Sequence, residues 1–231
     1  MTVSAQPSTA ILRTVGLLWA LGPAWYVLCE AITAAAFRDY NYATFYISDL
    51  GVSGFGEFEG RALASHIPQV MNAGFIGAGV LFLLGLVLLL PSLPPGAPRA
   101  LLAGFGMLHS GGIVFVGLVP GSPENAENGL IIIHGLGAFA AIAGGNLAAM
   151  SASRAFRRTA LPRAARILGL ILGVIGLASA GVLTQHWLFP DGVWERASVY
   201  TFMLWQFVIG ITLLRSVLVS ENAPPPHAAA P

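Results

Sequence analysis

Eight strongly polar side chains interrupt segments that are otherwise almost wholly apolar: Glu30, Asn72, His109, His134, Asn146, Gln185, His186 and Gln206. A charged group near the centre of a bilayer costs roughly 2.5–3.5 kcal/mol on insertion scales, so each such residue is a candidate for function. A ninth feature lies outside the apolar runs, in Ile47-Ser48-Asp49-Leu50-Gly51, between an aromatic stretch (Tyr40, Tyr42, Phe45, Tyr46) and a glycine-rich one (Gly51, Gly54, Gly56). Asp49 and His134 supply a carboxylate and an imidazole, the minimum apparatus for proton transfer near neutral pH, and Ser48 adds a hydroxyl. These three are the candidate catalytic residues. Glu30, Asn72, His109, Gln185 and His186 are the candidate substrate-binding residues.

Imidazole with carboxylate would also suit zinc. No HExxH, nucleophile elbow or closely spaced ligand pair occurs, so any site must be assembled from separate segments, and no metal is assigned. Nor is a cofactor assigned, because haem between helices calls for histidine pairs on facing helices. The structural alternative at the loop is that Ser48 or Asp49 caps a short helix and Gly51 supplies a left-handed turn.

The elements that must hold these residues follow from hydropathy. The chain is 56% apolar and 9% charged over 231 residues, whereas soluble domains carry roughly 25% charged residues. Apolar runs at approximately 13–37, 67–90, 100–119, 129–150, 167–189 and 197–215 are each long enough to cross a hydrocarbon core of roughly 30 Å as a helix. They lack the alternation of membrane strands, so the expected fold is all-α, a polytopic bundle of about six transmembrane helices in one domain over 13–216. Residues 1–12 would form a short N-terminal segment and 217–231, with three consecutive prolines, a disordered tail. The first run is too long for the 7–15-residue core of a signal peptide. Frequent glycines within the spans, among them Gly74, Gly77, Gly79, Gly169 and Gly173, read as helix-packing positions.

Orientation follows from the arginines, which are all eleven of the basic residues. With the N-terminus inside, Arg13, Arg99, Arg154, Arg157, Arg158, Arg163, Arg166 and Arg215 fall on the cytoplasmic side. Arg38, Arg61 and Arg196 fall outside together with most of the acids. Both termini are then cytoplasmic, and the plasma membrane is the expected location. The arginine-rich loop 151–166 would suit anionic headgroups on the inner leaflet.

In that orientation Glu30, Asn72, His134, Gln185 and His186 form one layer beneath the outer surface, the last two in the final turn of the fifth span, with His109 near mid-membrane. Asp49, Asn72 and His134 are expected to surround one cavity. The net charge of +1 and the absence of a phosphate loop, a Rossmann fingerprint or a basic-aromatic surface exclude nucleic acid as a partner. Membrane lipids and a second copy of the chain are the partners left open. A single cysteine, Cys29, leaves no disulfide framework.

The Ile-Ser-Asp-Leu-Gly element after the first span, an asparagine early in the second and a histidine opening the fourth after a Pro/acid loop together resemble the membrane-protein family of domain of unknown function 998. The resemblance spans about residues 11–216 and matches at Ser48, Asp49, Gly51, Asn72, Pro120 and His134. A similar serine-aspartate element occurs in the six-helix damage-regulated autophagy modulator and GPI-lipid-remodelling families, which implies a lipid connection. Three readings follow: an outer-leaflet enzyme on a lipid or lipid-linked substrate, a small transporter or channel lined by Glu30, Asn72, His109 and His134, or a non-catalytic component that binds lipid or a partner protein.

Overall fold

A computed structural model of the chain describes residues 8–159 and 161–221. Its helices are α1 (Thr9–Ala35), α2 (Pro68–Leu89), α3 (Ala97–Leu118), a short α4 (Pro123–Glu127), α5 (Ile131–Ala155), α6 (Arg163–Leu183) and α7 (Asp191–Glu221). Six of them, all but α4, are long and apolar enough to cross a membrane, so the protein is an all-α, multi-pass membrane protein. Six crossings return both ends of the described chain to the same face.

The starts are set by local chemistry. Ser8 caps α1 by accepting a hydrogen bond from the Ile11 amide, Ser122 does the same for α4 from Asn125, and prolines occupy the first turn of α2, α3 and α4. Two ends differ from expectation. The helix α6 stops at Leu183, so Gln185 and His186 follow it instead of forming its last turn; His186 and Leu188 adopt left-handed backbone (φ 50° and 72°), which no helix accommodates. The helix α7 starts at Asp191, directly after Pro190, where an acid in the first turn meets the positive end of the helix dipole. At its other end α7 runs to Glu221, through residues read from sequence as tail; residues 222–231 and 1–7 lie outside the described residues.

The six spans form a closed ring in which consecutive helices pack side by side and α7 returns to α1. Glycines set the closest approaches: a Cβ on Gly112 of α3 would strike the α5 backbone at Gly137 and Ala141, and one on Gly210 of α7 would strike α1 at Gly16 and Ala20. One half of the ring interior is filled by aromatics. Trp19 stacks on Phe82 at 5.3 Å, Phe82 meets Phe202 at 5.2 Å, and Trp205 closes on Trp19 and Phe202.

The other end is covered by residues 36–67, which contain structure that the hydropathy pattern does not announce. A 3-10 turn spans Ser48–Gly51, and an antiparallel hairpin pairs β1 (Gly54–Phe58) with β2 (Arg61–Ser65). Ile47, Leu50 and Val52 are fully buried, whereas Phe55 on the hairpin is 70% exposed. The segment therefore plugs the mouth of the ring with its first half and projects beyond it with its second.

Candidate functional site at the capped end of the bundle

The cap is held by three polar ties. Asp49, on the 3-10 turn, accepts from the Tyr46 amide at 2.9 Å and from Arg61 Nε at 2.8 Å, and Arg61 also lies 4.2 Å over the Tyr46 ring. Burial pushes the Asp49 carboxyl above its ordinary value, against the opposing pull of Arg61. Asn72, from α2, donates to the Gly51 carbonyl at 3.0 Å, and Ser65 donates to the Leu50 carbonyl at 2.7 Å. Gly51 is not in the left-handed region; its lack of a side chain serves space, because a Cβ there would collide with Asn72 Oδ1.

The second tie runs to α7. Arg196 Nη1 donates to the carbonyls of Tyr42 (2.6 Å), Phe45 (2.9 Å) and, within its own helix, Gly192 (3.1 Å). Its Nε and Nη2 donate to Glu30 Oε1 on α1 at 3.2 and 3.1 Å, and Nη2 also donates to the Tyr40 hydroxyl. Tyr200 donates to the other Glu30 oxygen at 2.5 Å. Both carboxylate oxygens and all three guanidinium nitrogens are thereby satisfied, which a buried ion pair requires if it is to offset desolvation. Burial and the nearby Glu195 and Glu30 carboxylates raise the Tyr40 hydroxyl against the pull of Arg196, so it stays protonated.

The third tie is Glu195, one residue before Arg196, whose Oε2 accepts from the Ile47 amide at 2.5 Å. Glu195 also faces a cavity of about 50 Å³ on the axis of the ring, between the cap and the aromatic layer. At ~10–15 Å³ per water, that is room for about three to five waters. Its polar lining comes from Tyr26 of α1, Ser48 of the cap, His109 of α3, Asn146 of α5, and Glu195 and Ser198 of α7; apolar walls separate them. His109 Nδ1 bonds the Ala141 carbonyl at 2.8 Å, and since a carbonyl only accepts, Nδ1 carries the proton and Nε2 makes no hydrogen bond among the described residues. Beneath it Phe202 lies 4.1 Å from the imidazole and closes the cavity floor. Asn146 donates to the Ser198 carbonyl at 2.8 Å and accepts from Thr201 at 3.1 Å.

The cavity thus brings together Ser48, His109 and Asn146 from the residues singled out by type. Asp49, Asn72 and His134, expected around one cavity, do not line this one. His134 donates from Nδ1 to the Val119 carbonyl at 2.8 Å and rests against Gly121, so it fastens α5 to the loop after α3. Glu30 is 1% exposed and wholly engaged with Arg196 and Tyr200. Gln185 and His186 sit on the surface, where His186 bonds Asp191, which also accepts from Tyr46. Among the described residues no three His, Cys, Asp or Glu side chains converge as a metal site would require.

Glu195 and Arg196 fall outside the reading by residue type because hydropathy starts the sixth span at 197, and Ser198 and Tyr200, inside that span, carry hydroxyls that do not stand out beside charged and amide groups. The signal was present. Pro190 followed by Asp191 marks a helix start, and a helix begun there carries Glu195 and Arg196 one turn inward. No curated protein and no solved structure matches the chain. The profile of one family matches residues 20–212. The chain therefore belongs to the family described as Protein of unknown function (DUF998).

Proposed function

We propose that the protein handles a lipid or lipid-linked substrate in the capped half of the bundle, and that this half faces the extracytoplasmic side of the cell membrane with both termini cytoplasmic, a reading supported by the arginine distribution. One observation carries the reading: a small, mainly apolar cavity on the ring axis into which Tyr26, Ser48, His109, Asn146, Glu195 and Ser198 bring polar groups. Its size suits the reacting group of an amphiphile and a water rather than a whole headgroup, since pockets for complete ligands run to roughly 300–1,000 Å³. Glu195 is the group that would move a proton, Ser48 and Ser198 orient the substrate, and Asp49 and Arg196 are positioning residues that hold the cap over the cavity.

The test is the lipid profile of cells lacking the protein, complemented with wild type, Glu195→Gln or Ser48→Ala. Wild type should restore a lipid species that Glu195→Gln does not, with at least a hundredfold loss of turnover for a missing proton-transfer group. An identical profile in cells with and without the protein would sink the proposal.

A transport reading is favoured by one observation, the unbonded Nε2 of His109 beside the cavity. Against it, Phe202, Phe82, Trp19 and Trp205 block the axis below. Proton or solute flux into proteoliposomes that His109→Leu abolishes would revive it.

A further inference from the structure

At the opposite end of the molecule a second, open cavity of about 330 Å³ lies between the end of α5 and the start of α6, lined by Ser153, Arg157, Arg163, Arg166, Ile167 and Leu170. Its charge is unbalanced. Among the described residues none of the three arginines makes a hydrogen bond or an ion pair, and Arg166 Nε is buried without a partner. All ten acidic residues of the chain belong to the described part, so no acidic side chain elsewhere in this protein answers them.

The helix geometry sharpens the imbalance. Arg163 is the first residue of α6 and Arg166 the fourth, and the residue before them, Pro162, offers no side-chain cap. The amides of this first turn that lack helical acceptors and the positive pole of the helix lie at the same end of α6 as Arg163 and Arg166, both of which line the cavity. Arginine at a helix start is opposed by the dipole, unlike Arg154 in the last turn of α5, which the dipole favours. An anion seated in the cavity would reverse the sign of all these terms at once.

We propose that this cavity binds the phosphate of an anionic phospholipid, a site separate from the axial cavity and independent of the function proposed for it. The lipid source, rather than free phosphate, follows from the floor. Ile167 and Leu170 line the cavity and are 42% and 43% exposed, and Ile171 and Val174 continue the same helix toward the membrane interior at 50% each. A bound headgroup would thus lay its acyl chains along an apolar helix face. The volume falls in the range of ordinary ligand pockets, roughly 300–1,000 Å³.

The experiment is native mass spectrometry of the full-length protein in neutral detergent, titrated with phosphatidylglycerol, phosphatidylcholine or inorganic phosphate at matched ionic strength. Wild type should retain one phosphatidylglycerol in preference to phosphatidylcholine, and inorganic phosphate at equal concentration should fail to displace it. Each juxtamembrane arginine is worth roughly fivefold at an anionic surface, so the Arg163→Gln/Arg166→Gln double variant should bind on the order of thirtyfold more weakly. If the double variant does not fold, Arg157→Gln alone should lose roughly fivefold. Equal retention of the two lipids, displacement by inorganic phosphate alone, or retention unaffected by these substitutions would each overturn the proposal.

Discussion

Arg196 shows how much one side chain can carry at a membrane boundary. It joins α1, through Glu30, to the cap, through the carbonyls of Tyr42 and Phe45, and it is 8% exposed. Breaking a buried ion pair from one side leaves the other charge unpaired, typically at 3–5 kcal/mol. Arg196→Gln should therefore lower unfolding stability in detergent by about that amount, and Glu30→Gln/Arg196→Gln should recover part of it. A single variant within about 1 kcal/mol of wild type would show the pair to be dispensable. The residues at this scale were legible by type but not by role. Asp49, His134 and Asn72 stood out by type, yet each is tied to backbone: Asp49 to the Tyr46 amide beside its pairing with Arg61, His134 to the Val119 carbonyl and Asn72, through Nδ2, to the Gly51 carbonyl; a carbonyl or amide partner has no sequence signature, so a side chain that fastens a loop reads the same as one that meets a substrate.

Among the elements, the six spans were readable because apolar runs of about twenty residues have few alternatives. The hairpin Gly54–Ser65 was not, since Gly-Phe-Gly-Glu-Phe lacks a clear alternation, β1 is exposed along most of its length and only β2 meets the 3-10 turn. The start of α7 was readable in principle and was lost to hydropathy averaging, which discounts a helix that opens with Asp, Glu and Arg. Cap and α7 meet at Gly192, where an added Cβ would press on the backbone carbonyls of Tyr42, Ala43 and Phe45. Backbone cannot yield as a side chain can, so Gly192→Ala should lift the cap at a cost of about 1–3 kcal/mol. Hydrogen exchange at residues 43–47 reports it: faster exchange in the variant with the spans still protected is the expected result, and unchanged protection at 43–47 would mean that the cap is not seated on α7.

For the whole molecule, six crossings and a one-sided arginine distribution make a directional object. Cys29 is buried and is the one cysteine in the sequence, so a Cys29→Ser background accepts single reporters. Glu57→Cys, on the exposed hairpin, should react with a membrane-impermeant maleimide in intact cells, and Arg157→Cys only after permeabilisation. The reverse pattern would invert the proposed orientation. That the interior is a ring with a capped cavity above an aromatic floor was beyond the sequence, because helix order around a bundle is set by glycine contacts and loop ties that no single span displays.

The claim that function resides in the axial cavity is tested most directly by filling it without touching a polar group. Ala138, on α5, lines the cavity and is half-buried; Ala138→Leu adds three carbons to a space of about 50 Å³. In the complementation assay, a folded Ala138→Leu protein should fail to restore the lipid species that wild type restores. Full restoration by that variant would contradict the assignment of function to the cavity.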